Sequence, residues 1–167
     1  MKAAFLIGTR EDYKRPGNPG SDQFRSVVTA ACQEGQVRFL AEEMSLEALS
    51  LFGATTSVCK QVADAMGIPH RYCDPSSDEQ RSLGIANPGK VSPGAFFPSC
   101  DYHEPDPEVR EADAIRERRW LEHLMEVDLW PVLFVCGAHH TSSFKVLLER
   151  NLVTVHVLFP GCGWVPN

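Results

Sequence analysis

Five short apolar runs, each set apart from the next by a stretch of helical periodicity, restrict what this chain can fold into more than any other feature. The runs are AAFLIG (3–8), VRFLAE (37–42), IPHRYCD (68–74), PVLFVC (131–136) and VTVHVLF (153–159). A strand that returns to the same sheet through a helix must run parallel to its predecessor. Near-continuous apolar strands suit a sheet covered on both faces. The expectation is an α/β fold: a mostly parallel sheet of about five strands flanked by helices, in a single domain over 1–167. A chain of 167 residues is long enough to bury such a core.

The connecting helices carry their own signals. One starts at Ser21 or Asp22 and runs to about Gln33, with Phe24, Val27, Val28 and Ala31 on one face. Two more lie near 45–52 and 55–66, ended by Gly53 and Gly67. Ser76 and Glu79 have capping-box spacing for a short helix. The longest helix runs from Asp106 to about Asp128, with Ala112, Ile115, Leu121, Leu124 and Val127 towards the core, and the last covers Thr141 to Arg150. Residues 86–105, interrupted by Pro88, Gly89, Pro93, Gly94, Pro98 and Pro105, read as an irregular stretch that is a lid, a binding loop or disordered.

In an open parallel sheet, ligands bind beyond the carboxyl ends of the strands. Four runs in succession end in glycine turns or ionisable residues: Gly8-Thr9-Arg10-Glu11, Glu42-Glu43, Asp74, and Gly137-Ala138-His139-His140. Neighbouring parallel strands would gather these groups on one rim. Glu42 and Glu43 point to opposite sides if their strand persists. The first N–H groups of the 141–150 helix, at Thr141, form an anion site beside the histidines. A His with one or two carboxylates can hold Zn²⁺, Mn²⁺ or Fe²⁺ with open positions, and the same groups without metal can do acid–base work. Residue types alone do not choose between the two. In the long helix Arg116, Glu117, Arg118 and Arg119 sit together beside Trp120, so part of that cluster lies at the core boundary, suited to a carboxylate partner or an anion.

The net charge of −6 gives no case for a nucleic-acid partner. The opening MKAAFLIGTRED is too short in apolar residues for a signal peptide or a membrane span, so a cytoplasmic protein without a membrane partner is the expectation. The six cysteines form no C-x-x-C pair, which suits free thiols in a reducing compartment. Cys32, Cys59 and Cys136 read as small core residues. Cys100 and His103 make at most half a metal site.

Three segments in order, GTRE, FLAEEMS and RERRWLEHL…PVLFVCGAHHTSSFKVLLE, resemble the TraB/Tiki/erythromycin-esterase-like superfamily over about half the chain. His140 takes the motif place in Gly137-Ala138-His139-His140, Glu117-Arg118 match the family's E-R pair, and Glu42 or Glu43 its glutamate. Glu11 stands where the family's first motif has histidine. The resemblance implies a small metal-assisted hydrolase acting on a small molecule or peptide, with Glu11, Glu42 and His140 at a divalent transition metal. Glu43, Glu117, Arg118 and His139 would be catalytic, with Glu43 a third ligand or the water-activating base. Arg10, Gly137 and Thr141 would bind substrate, and loops 9–20 and 86–105 would cover the site. The rival expectation is a sensor without turnover that holds an anionic small molecule such as a nucleotide on the same rim, through Arg10, Arg118 and His139. A third is an interaction protein whose ancestral site has decayed.

Overall fold

The computed structural model describes residues 1–85, 107–159 and 163–166. Five strands form one all-parallel sheet: β1 (Ala3–Thr9), β2 (Phe39–Glu42), β3 (His70–Tyr72), β4 (Val132–Gly137) and β5 (Thr154–Val157), in the order β3-β2-β4-β1-β5. The helices between them are α1 (Ser21–Glu34), α2 (Leu46–Leu51), α3 (Val58–Met66), α4 (Ser77–Ser82), α5 (Pro107–Val127) and α6 (Thr141–Arg150), with 3₁₀ turns at Glu11–Lys14 and Ala138–His140. The α/β fold with a parallel sheet expected from the apolar runs is the one observed. The expected lid at 86–105 and the Cys100–His103 pair lie outside the described residues.

The strands alternate their side chains between two cores. Ile7, Leu40, Leu133 and Val135 meet Phe24, Val28, Cys32, Val58 and Val62 on the side of α1 and α3. Leu6, Phe39, Ala41, Phe134 and Cys136 meet Trp120, Leu124, Phe144 and Leu148 on the side of α5 and α6. Trp120, Phe134 and Phe144 pack ring to ring at 4.7–5.4 Å between centroids. Cys32, Cys59, Cys73 and Cys136 are buried free thiols, and burial pushes the Cys32 thiol up to about 12.

Helix starts follow their caps. Ser45, Ser57 and Ser76 each accept a hydrogen bond from the backbone N–H three residues on, and Ser57 shortens α3 to a start at Val58 rather than 55. The third strand is three half-buried residues at the sheet edge, shorter than the run 68–74. The face of α5 follows expectation at Leu121, Leu124 and Val127, which pack on the second core, and departs from it in what lies buried beside them. Its buried residues are Glu117, Trp120, His123 and Leu124, while Ala112, Ile115, Leu121 and Val127 are half-buried. The helix is phased by a polar group turned inward, which an apolar stripe cannot reveal.

The strand order decides what meets at the rim. Because β4 lies between β2 and β1, the end of β2 comes beside Gly137 rather than beside the β1 turn. At that turn Gly8 is pressed against the start of α6: a Cβ there would land on Thr141 Oγ1 and 2.9 Å from the Ala138 Cα. Among the described residues, no helix is long and apolar enough to cross a membrane.

Candidate functional site

Glu43 is the centre of the rim. Its N–H continues the β2–β4 ladder by donating to the Val135 carbonyl at 2.8 Å, which turns its side chain to the α5/α6 face. One carboxylate oxygen, Oε2, accepts from the Gly137 N–H at 2.5 Å. The other, Oε1, accepts from Arg116 at 2.6 Å and lies 3.4 Å from His140 Nε2. From the β1 side, the fully buried Lys14 ammonium donates to the Glu43 carbonyl at 2.9 Å, stands 3.7 Å from Oε2 and pairs with Glu11 at 2.8 Å.

Arg116 ties the rim together. It donates from Nε to Asp74 at 2.8 Å and reaches Asp113 Oδ1 at 3.3 Å, while Trp120 also donates to Asp74 at 3.2 Å. His140 lies edge-on to Trp120, with ring centroids 4.8 Å apart. Its Nδ1 pairs with Glu117 at 2.8 Å, and Ser143 donates to the same Glu117 oxygen at 2.6 Å. Its Nε2 faces Glu43, Asp113 at 3.8 Å and Arg116 at 3.5 Å. His139 lies against His140, centroids 3.9 Å apart, with Nε2 3.8 Å from Asp113 Oδ2. Asp113, His139 and His140 each offer one ligand atom, and those atoms all lie within 4.8 Å of one another, a group that could hold a metal ion.

Burial alone would raise the Glu43 carboxyl, but the charges of His140, Lys14 and Arg116 outweigh it and hold it well below the usual carboxylate range. Burial would lower His140, yet the Glu43 charge and the hydrogen bonds to Glu117 and Glu43 raise it to about 9. Burial and the neighbouring His140 charge drop His139 to about 4. Burial raises Asp113 and Glu11. With Glu43 itself, the rim holds five carboxyl groups, those of Glu11, Glu43, Asp74, Asp113 and Glu117, against three cations, Lys14, Arg116 and protonated His140.

Of the residues singled out in the sequence, Glu43, Glu117, His139, His140 and Gly137 meet here. The expected metal set of Glu11, Glu42 and His140 is not assembled. Glu42, one residue before Glu43, faces the other side of the sheet, where its Oε1 accepts from Ser57 and pairs with His70 at 2.8 Å. Glu11 is drawn to Lys14. Arg118 is exposed on the far side of α5, and Arg116 occupies the place expected for it. Arg10 pairs with Asp12 at 3.1 Å. The Thr141 side chain is buried, and its hydroxyl has no hydrogen-bond partner among the described residues.

Lys14 and Asp113 escaped the sequence reading. Lys14 sits in a Pro- and Gly-rich loop that reads as solvated, and Asp113 begins the i, i+3, i+4, i+7 row 113-116-117-120, which becomes visible once Trp120 is used to phase the helix. No known protein family, characterised protein or solved structure matches the chain.

Proposed function

We propose that this protein is a metal-assisted hydrolase, with Asp113, His139 and His140 holding a divalent transition metal and Glu43 acting as the base. The observation that carries this is the ligand group itself. Three donor atoms of the two-histidine, one-carboxylate type lie within 4.8 Å of one another, and the second nitrogen of His140 is fixed by Glu117 at 2.8 Å. Two histidines and one carboxylate leave open positions on Zn²⁺, Mn²⁺ or Fe²⁺. A carboxylate on the far nitrogen of a ligating histidine sets its tautomer and strengthens it as a donor. When bound, the metal would supply Lewis acidity and a lowered pKa for water.

The chain's own groups supply the rest. Glu43, ionised at neutral pH and 3.4 Å from His140, would take a proton from water at its Oε1. The Arg116 guanidinium, bonded to that oxygen, would yield Asp113 Oδ1 to the metal and face the negative charge that develops on the substrate. The excess of carboxylates over cations favours a cation at this position and weighs against an anionic ligand held by His139. The kinship to TraB-like hydrolases is part of the same proposal. It rests on His140, Glu117 and the Gly137 turn, and this chain's ligand set departs from the one that the kinship implies.

Metal analysis of the purified protein tests the reading. One equivalent of transition metal is expected, lost in Asp113→Ala and in His140→Ala, together with metal-dependent hydrolysis across a panel of ester, amide and phosphoester substrates. Protein that takes up no zinc, manganese or iron, or variants that retain metal as the parent does, would overturn it.

A further inference from the structure

We propose that a cleft on the same rim, between the loop after β1 and the loop before α3, binds an anionic group (a phosphate or a carboxylate) of a small molecule. The cleft has a volume of about 460 Å³, and its walls include Arg15, Asn18, Phe52, Thr55, Thr56 and Gln61. That volume is of the size that small ligands occupy. None of its lining residues bears a carboxylate, in a chain whose net charge is −6.

The one charged side chain on its walls is a cation, Arg15. The Arg15 guanidinium carbon stands over the Phe52 ring, 4.0 Å from its centroid, and the group gives one nitrogen to Asp12 at 2.5 Å. Its Nε is buried and has no hydrogen-bond partner among the described residues. Asp12 is shared, since its other oxygen takes Arg10 at 3.1 Å, so one carboxylate stands between two guanidiniums. At the opposite wall, Arg25 donates to Gln61 Oε1 at 2.5 Å and so points the Gln61 amide as a donor. Thr55 adds a hydroxyl, while Thr56 gives its own to the Ser57 carbonyl at 3.5 Å and Asn18 its amide nitrogen to the Arg15 carbonyl at 3.3 Å. Donors and surplus positive charge without a carboxylate match the oxygens of an anion.

The cleft is also wired to the strand end. Lys14, one residue before Arg15, bonds Glu43, and Ser57, one residue after Thr56, bonds Glu42. If the proposed hydrolase reading holds, on which this link to turnover rests, the anionic group anchored here belongs to the substrate. Binding itself does not depend on that reading.

The test is an amide NMR titration of the full chain with inorganic phosphate, and separately with acetate, in EDTA and with chloride matching the ionic strength. Saturable shifts at Gly17, Thr55 and Thr56 are expected, with affinity weakened about tenfold or more in Arg15→Gln. Gln61→Leu, at a partly exposed position, should weaken binding in the same direction. Saturation by phosphate alone, or by both anions, supports the proposal and separates the two chemistries. No saturable shift, the same response to chloride, or an unchanged affinity in both variants overturns it. His140→Ala should keep phosphate binding while losing metal, and Arg15→Gln the reverse, so each reading can fail alone.

Discussion

Lys14→Met removes the one ammonium that is fully buried among the described residues and keeps most of its stem. The lost contacts are the hydrogen bond to the Glu43 carbonyl at 2.9 Å, the pair with Glu11 at 2.8 Å and the longer approach to Glu43 Oε2 at 3.7 Å. Glu11 is 37% exposed in its side chain, so water screens that pair and its share is small. The burden falls on Glu43, 11% exposed, which loses one of its three cations. Removing one partner of a buried pair costs about 3–5 kcal/mol. For a chain of this size that lowers the thermal midpoint by roughly 6–20 °C. Thermal and urea unfolding followed by circular dichroism read it directly. The defect should also shrink in acid. A depressed carboxyl contributes stability that is present above its ordinary value of 4.5 and is lost as pH falls through the folded value. With Lys14 gone, Glu43 is less depressed and has less to lose. A midpoint within about 2 °C of the parent, or a defect equal at pH 3 and pH 7, would refute the electrostatic account.

Three further outcomes follow from the same geometry. Gly8→Ala should cost about 1–3 kcal/mol in urea unfolding, because the added methyl meets Thr141 and the backbone of Ala138; an unchanged midpoint would mean that the turn has slack. In chelated protein, stability should fall on both sides of neutrality. The part due to His140 is complete below 6.5 and lost as pH rises through about 9, and the part due to neutral His139 is lost as pH falls from 6.5 towards about 4. His140→Gln should flatten the alkaline limb in a pH series of urea midpoints. Glu42→Gln and Glu43→Gln, adjacent and chemically identical changes, should part company: metal content stays in both, but hydrolysis falls about 10²-fold or more in the second alone. Equal losses of activity would deny Glu43 its separate role.

Period-two alternation is local, so the opposite headings of Glu42 and Glu43 could be read from two adjacent letters, and so could the strand-end position of the Gly137 turn. The helix cap at Ser76 was legible for the same reason, whereas the cap at Ser57 was not, and the sequence reading starts its helix near 55. What could not be read depends on long-range placement. The insertion of β4 between β2 and β1 brings Glu43 to Gly137 and His140, and nothing in any one segment encodes that order. The choice of Arg116 over Arg118 is a matter of about 200° of helical phase. Periodicity is incomplete there, because Glu117 and His123 take buried places that an apolar stripe does not mark. Lys14 is the extreme case. Its burial follows from the carboxylates that β2 and the 3₁₀ turn present to it, and its own loop carries no sign of them.

Stability alone does not account for this rim. A buried ion pair gains little over well-packed apolar side chains of similar volume. Here Lys14, Glu43, Glu117 and His140 are all buried at the end of an otherwise apolar sheet. A fold needing only cohesion would continue there with residues like Phe134 and Phe144, which pack a few ångströms below. The sequence departs from its own apolar pattern at the strand ends, where a parallel sheet presents its ligands, and it does so with more carboxylates than cations. Such an arrangement would be stabilised by a bound cation. Under the proposed function, a divalent cation would relieve the repulsion among Asp113, Glu43 and Glu117 and turn His140 from an ion-pair partner into a ligand. Metal should therefore raise the thermal midpoint of the parent and leave that of His140→Ala unmoved.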